Sequence, residues 1–559
     1  MSNKEQSDYF ETFKKSSDYE TFKKSPVAYF CAEYALESAF PTYAGGLGIL
    51  SGDYIREIAK QGFPLVAIGL RYHKGQSLLS ADEISGSIKL EPVLDAEKKS
   101  VIVTLPIEHR TVYIKAWHFK EDNINLYLLD TNLEENAPED RDITRCLYDE
   151  NRDIRLKQEI VLGIGGFRLL ANLGYHASVY HLNEGHSAFL AMELIRHEME
   201  HQHVNFKEAC EYAKKHILFT NHTLALAGQE QFAPEKVSAF IEPCAKDICL
   251  DNSEITNLGA SENNPDTFSM TTFSFKLSSK ANAVSELHYQ NAKQVWPNQT
   301  MDVVTNGIFV DRWDNMSGVA EEDIWARHTQ NKQSLLNLVK EKTGVVWSDT
   351  DLVLVWARRL VEYKQPLFLF QKIEKLIEIS NNSKVPIRVV FSGPAIGDNN
   401  PFQKEIEKII LEKMPGSVVF ISGYNIDLSK VLTSGADIWL NTPVIGAEAC
   451  GTSGMKAALN GALSLSTRDG WISEVDPQDV GWVTANSSDN TEILDFIEDQ
   501  IIPMYVAHLA HPEHSLWVKK MFSARKLILE NFSTTRMLKD YIEKLYIPIM
   551  MQKHNHRVD

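Results

Sequence analysis

What the sequence has little of narrows it first. Six cysteines (Cys31, Cys146, Cys210, Cys244, Cys249 and Cys450) are scattered through 559 residues, with neither a CxxC pair nor a framework spacing. That pattern excludes a disulfide-stapled scaffold and suits free thiols in a reducing compartment. No apolar run approaches the length a membrane span needs. The N-terminus, MSNKEQSDYFETFKKSS, lacks the apolar stretch of a secretory signal, so the expected location is the cytoplasm. Positive charge is also scarce: 57 Lys and Arg stand against 75 Asp and Glu, a formal net charge of −18. A general affinity for nucleic acid or acidic membranes needs an extended basic surface and is excluded on that ground, whereas a local cationic pocket is not.

What is present is ordinary in bulk and specific in pattern. Apolar residues make up 43% and charged residues 24%, as in a globular protein, and the length exceeds what one hydrophobic core organises. The reading is a leader at 1–26, an N-terminal α/β domain at 27–315, a C-terminal Rossmann-like domain at 316–530, and a C-terminal helix at 531–559 packing back on the N-terminal domain. The leader carries a near-repeat, SDYFETFKKS then SDYETFKKS, too short for a solenoid and expected to be poorly ordered. VAYFCAEYAL reads as a buried strand, YAGGLGILSGDYIREIAKQG as a glycine-rich turn opening a helix, and PLVAIGLRY as a second strand. Residues 85–130 are strand-rich, and HSAFLAMELIRHEMEH is helical. In the second half DLVLVWA, PIRVVFSG, SVVFISG, ADIWLN and ALSLS alternate with helical segments at βα spacing, which makes the fold class α/β with a doubly wound parallel sheet. Ligands bind such sheets beyond the carboxyl ends of the strands, so the residues after DLVLVWA and ADIWLN should line a site.

Both of those loops are polar and unusual. GAEACGTSGMK (446–456) concentrates Gly, Thr and Ser at a strand-to-helix turn, where free backbone amides hold anions. It is not a Walker A loop, because Ala457 stands where a Ser or Thr is required. Lys456 falls in the first turns of the following helix, a setting that lowers an amine's pKa and suits it to covalent chemistry with a carbonyl. ARRLVEYK supplies Arg358, Arg359 and Lys364 directly after a buried strand, and guanidinium forks match phosphate oxygens. Gly45, Gly46 and Gly48 open a helix in the first half. TNHT (220–223) and VTNGI, around Asn306, place polar side chains at the ends of apolar runs, where they suit sugar hydroxyls or simple turns.

With these blocks in order, EACGTSGMKAALNGAL, ARRLVEYK, YAGGLGILSGDYI, HLNEGHSAFLAMEL, TNHT, NAKQVWP and VTNGIFVDRW, the chain resembles the glycogen and α-glucan phosphorylase family from about residue 27 to 475. Its length resembles a compact prokaryotic branch. The resemblance implies two Rossmann-like domains facing across a cleft (GT-B architecture) and pyridoxal 5′-phosphate attached to Lys456. The implied reaction is reversible, configuration-retaining phosphorolysis of terminal α-1,4-linked glucose to glucose 1-phosphate. The partners are then an α-1,4-glucan (glycogen or maltodextrin), inorganic phosphate and glucose 1-phosphate; homodimers are common in the family. By the same alignment Thr452, Ser453, Arg358, Tyr424 and the Gly45 amide hold the cofactor, while Arg359, Lys364 and the Gly46 amide hold the substrate phosphate. Glu448, Cys450, Gly451, Asn306, His222, Tyr363 and His186 fall at sugar-binding positions, and the His222 carbonyl lies near the reacting centre. The sequence departs from the long branch at Ala35, Asn425, Cys450, Ser453 and Gly454, and its SGPAIGDNN segment (392–400) differs from the family's usual loop.

Two rival enzyme classes stay in view. HEMEH (197–201) formally matches a zinc-hydrolase HExxH, with His197 and His201 one helical turn apart, although no HxxGxxH completion follows. A nucleotide-sugar glycosyltransferase of the same architecture would need no pyridoxal phosphate, and Lys456 is the residue that separates the two. No metal site is expected for the favoured reading.

Overall fold

The computed structural model describes residues 3–38, 40, 42–74, 90–121, 123–224, 229–260, 266–394 and 400–554. Most of the SGPAIGDNN segment lies outside the described residues. The chain forms two compact units, one of residues 4–284, 292–304 and 537–559, the other of residues 285–291 and 305–536. The main crossing therefore comes at 304–305, earlier than the 315–316 boundary read from the sequence. No helix among the described residues is long and apolar enough to cross a membrane.

The N-terminal unit is built on a ten-stranded sheet. Its parallel part runs in the order Asp302–Val303, Lys280–Ala283, Ile217–Thr220, Val179–Asn183, Val27–Phe30, Leu65–Leu70 and Leu126–Asp130. Arg110–Phe119 then adds antiparallel, with Leu90–Pro92 and Ile102–Ile107 paired to it, so the alternating segments of the strand-rich stretch become an antiparallel extension of the sheet. Val27–Phe30 and Leu65–Leu70 are buried along their whole length, as strands covered on both faces must be. The strand order reverses between Val27–Phe30 and Val179–Asn183. Residues just past those two strands, Glu33 on one and Glu184 and His186 on the other, therefore gather at a topological switch point.

The near-repeat at 7–25 corrects the expectation of a poorly ordered leader. Asn3–Phe13 and Ser17–Lys24 are helices, and Ser16 caps the second by accepting the Tyr19 N–H at 3.2 Å. A spacing of three sets Phe10 with Phe13 and Tyr19 with Phe22 on common helical faces, and all three phenylalanines are buried. The Phe13 and Phe22 rings lie 6.2 and 5.3 Å from Phe63. The polar residues between these aromatics are what disguised the pattern. At the other end of the chain, Met537, Leu538, Tyr541, Ile542, Leu545, Tyr546, Ile549 and Met550 join the same core cluster, and Tyr546 Oη lies 2.8 Å from both Tyr54 Oη and His181 Nδ1.

The C-terminal unit holds a six-stranded, wholly parallel sheet in the order Val418–Ile421, Ile387–Ser392, Leu352–Ala357, Ile438–Asn441, Leu463–Thr467 and Gly481–Thr484. The chain winds outward from Leu352–Ala357 in one direction and returns to start Ile438–Asn441 beside it. The loop bearing Arg358 and the loop bearing Glu448 thus leave adjacent strands at a second switch point.

Candidate active site

In the C-terminal unit the site begins with a strand that delivers a guanidinium. Leu352–Ala357 is buried throughout, and Arg358 follows it with 7% of its surface exposed. The Arg358 N–H bonds the Ser392 carbonyl at 3.1 Å. Gly393 lies against the same peptide at φ 146°, where an added Cβ would sit 1.7 Å from the Arg358 carbonyl oxygen, so only glycine fits. Arg358 Nη2 and Lys364 Nζ both donate to Glu448 Oε2, forming a buried triad of two cations on one carboxylate. Burial would raise the Glu448 carboxyl, but Arg358 and Lys364 overcome this and hold it at about 2. Burial, aided by Arg358, brings the Lys364 ammonium down to about 7 against the pull of Glu448. Arg358 Nη1 is buried and makes no hydrogen bond among the described residues, so a donor remains for an incoming acceptor.

The glycine-rich loop leads directly into the lysine. Gly451 adopts φ 80°, ψ 66° at the start of the helix Thr452–Leu459. A Cβ there would stand 3.6 Å from Arg358 Nη2, which puts the guanidinium beside the helix N-terminus. Thr452 and Lys456 share one face, four residues apart. Lys456 is buried, and its Nζ lies 4.1 Å from the centroid of the Trp313 ring. Asn460 Nδ2 fixes that pairing by donating to the carbonyls of both Trp313 (2.8 Å) and Lys456 (2.9 Å). Tyr424 is half-buried, donates to Ser429 Oγ at 3.1 Å and has its phenol raised by burial while Arg358 opposes that rise. Beside it, the Asn425 side chain caps the helix Ile426–Gly435 by accepting the Leu428 N–H at 2.8 Å, a local duty that accounts for Asn at this departure.

Other predicted residues fall around this group. Cys450 is buried and its thiol is pushed well up by burial, opposed by a backbone hydrogen bond from Asn306, so these two sugar-binding candidates meet. Asn306 Oδ1 is buried without a partner among the described residues. Arg359 is exposed and makes no ion pair among the described residues, while the Tyr363 ring lies 4.7 Å from Lys364 Nζ. Sequence reasoning missed Asp469 and Trp313. Asp469 accepts the Glu448 N–H at 2.9 Å and the Gly470 N–H at 2.8 Å, and burial pushes its carboxyl up to about 6. Trp313 stands in the quoted VTNGIFVDRW block, but only the folded chain shows its ring beneath the amine.

The N-terminal unit supplies a separate polar group. The His222 N–H bonds Glu184 Oε2 at 2.8 Å and its Nε2 lies 2.7 Å from Asn183 Oδ1. His186 is buried, with its imidazole pushed down to about 4 by burial. The Gly45 amide does not stand open to a ligand: it and the Ala44 amide donate to Glu33 Oε2, at 3.1 and 2.7 Å, and Glu33 also accepts the Tyr148 hydroxyl. Gly46 is exposed at the first position of the helix Gly46–Gln61. His197 and His201 of HEMEH have ring centroids 4.2 Å apart and gather no third metal ligand among the described residues, so the zinc-hydrolase reading lacks its centre.

Comparison with known proteins agrees with this chemistry. Residues 314–483, which carry Trp313's neighbours, the triad and Lys456, match the family profile described as carbohydrate phosphorylase. The chain is 33% identical to the maltodextrin phosphorylase of Thermococcus litoralis over 95% of its own length and 71% of that protein's. The chain belongs to the carbohydrate phosphorylase family. It is also 31% identical to the glycogen phosphorylase of Aquifex aeolicus, covering 96% of this chain and 88% of the relative. A third relative, the glycogen phosphorylase of Mycobacterium tuberculosis, is 28% identical over 93% and 71% of the two chains. The two α/β units, each with a parallel run of strands at its centre, agree with the GT-B class of this phosphorylase family.

Proposed function

We infer that this phosphorylase catalyses the reversible transfer of a terminal α-1,4-linked glucosyl unit of a glucan to inorganic phosphate, giving glucose 1-phosphate, with pyridoxal 5′-phosphate on Lys456. One observation carries the cofactor assignment: a buried lysine amine packed on Trp313, one helical turn from an N-terminus that abuts a guanidinium with an unsatisfied donor. An amine and an anion cradle at that spacing fit an aldehyde-bearing phosphate ester.

The residues fit the group, so their roles can be named. Lys456 would hold pyridoxal phosphate covalently, and Thr452, Ser453, Tyr424 and Arg358 would surround its phosphate. When bound, the cofactor supplies a phosphate able to exchange a proton with the substrate phosphate. Lys364 and Arg359 hold the substrate phosphate, whose repulsion from a second phosphate would be prohibitive without nearby cations. Glu448, held ionised by the cations it now engages, accepts from a sugar hydroxyl when phosphate draws Lys364 away. Asn306, with its buried acceptor, and Cys450 and Gly451, through their backbones, contact the sugar, as does Tyr363.

Borohydride reduction of the purified protein followed by peptide mapping tests the assignment. A pyridoxyl group on the peptide containing Lys456 is the expected result. An unmodified Lys456 in phosphorolytically active protein overturns it.

A further inference from the structure

Within the N-terminal unit, three residues that the phosphorylase reading does not use together converge on one point. Glu159 projects from the helix Arg152–Ile160, His186 from the turn Gly185–Ser187, and Glu230 from just before the strand Gln231–Phe232. One carboxylate oxygen of each glutamate and one ring nitrogen of His186 lie within 4.8 Å of one another. Glu159 has 3% of its surface exposed, and neither of its carboxylate oxygens has a hydrogen-bond partner among the described residues; His186 Nδ1 is likewise buried and unpartnered there. Beside Glu159 and His186 is a cavity of about 10 Å³, also lined by Tyr72, Tyr148 and Arg155, with room for one water or one ion.

An ionised carboxylate with both oxygens buried and unsatisfied is strongly unfavourable, so Glu159 either carries a proton or faces a partner that completes the cluster. Hydrogen bonds within it do not. Arg155 pairs with Glu230, and Arg152 Nη1 reaches Glu230 Oε2 at 3.0 Å, but neither guanidinium bonds Glu159. Around Glu159 stand the carboxylates of Glu230 and Glu184 and the guanidiniums of Arg155 and Arg152.

We propose that Glu159, His186 and Glu230 bind one divalent transition-metal ion, with Zn²⁺ as the ion they fit best. An imidazole among the ligands disfavours Mg²⁺ and Ca²⁺, which take oxygen donors, and three protein ligands leave the fourth tetrahedral position to a non-protein ligand. Tetrahedral zinc sets its ligand atoms ~3.3 Å apart, a closure that side-chain rotation supplies from the present spacing. Binding replaces whatever proton Glu159 carries in the metal-free protein, where burial holds its carboxyl well above the ordinary range.

The test uses the cofactor-loaded full chain in a His201→Ala background, which removes the surface pair His197 and His201 as a competing zinc binder. Protein is incubated with Zn²⁺, passed through gel filtration in phosphate-free buffer, and its metal measured by mass spectrometry beside a Glu159→Gln version. About one zinc per chain is expected to stay with the parent, and Glu159→Gln should weaken retention by at least about tenfold. Zinc should also raise the melting temperature of the parent and not of Glu159→Gln. Equal zinc retention by the two proteins, or none by the parent, overturns the site and leaves a protonated Glu159 as the explanation of the geometry. Should Glu159→Gln fail to fold, Co²⁺ absorption of the parent decides: intense visible bands of a four-coordinate site support it, and their absence refutes it.

Discussion

At Glu448 two cations meet one carboxylate in a buried setting, and the balance among them governs phosphate handling. Arg358 cannot lose its proton, so the adjustable member is Lys364, lowered to about 7 by burial and by Arg358. The unfolded value is near 10.5, so between about 7 and 10.5 the folded protein binds fewer protons at this site than the unfolded chain, and stability from this group rises with pH across that window. Phosphate capture runs the opposite way because it needs the ammonium. The KM for phosphate should therefore climb above about pH 7. Lys364→Arg, charged throughout, should flatten that limb, and parallel profiles for the two proteins would show that Lys364 does not hold the anion. Removing the shared carboxylate tests the triad from the other side. Glu448→Gln leaves two buried cations without a counter-charge, a loss of about 3–5 kcal/mol, and added phosphate should raise the melting temperature of this variant more than that of the parent.

Elements explain both what could be read in advance and what could not. The helix Thr452–Leu459 and its anion-ready start were legible because GTSGMK carries its own turn chemistry. The strands of the C-terminal unit were legible because buried parallel strands read as unbroken apolar runs. The pairing of Glu448 with Arg358 and Lys364 was not, since it depends on which strands lie side by side; alignment gave Glu448 a sugar, whereas the ligand-free fold gives it two cations. Trp313 beneath Lys456 was hidden for the same reason, because the contact joins segments far apart in sequence. Gly393→Ala is predicted to drive a Cβ into the Arg358 carbonyl, displacing the guanidinium. Purified Gly393→Ala protein should then lose bound cofactor, read by absorbance, before it loses secondary structure. The N-terminal helices were misread because their aromatic spacing is masked by acids, lysines and serines. Phe22→Ala should cost about 3–5 kcal/mol, measurable as a lowered first thermal transition; an unchanged transition would mean the pair of helices contributes nothing.

On the scale of the whole molecule, one mixed and one wholly parallel sheet each turn their switch point into a polar cluster, and several of the quoted motifs fall at those strand ends. The doubly wound sheet of the C-terminal unit followed from the βα alternation, while the packing of the leader helices followed from burial that no local pattern reveals. The last helices belong to the N-terminal unit, where Tyr546 bonds Tyr54 and His181 at the centre of that unit's aromatic core. Removal of residues 537–559 should accordingly yield aggregated protein rather than a trimmed enzyme, as judged by gel filtration. The central claim, glucosyl transfer to phosphate, is tested most directly by incubating the cofactor-loaded protein with maltodextrin, with and without inorganic phosphate, and measuring glucose 1-phosphate. The account predicts glucose 1-phosphate only when phosphate is present, and none from Lys456→Ala. Glucan cleavage that proceeds equally without phosphate, or an active Lys456→Ala protein, would contradict it.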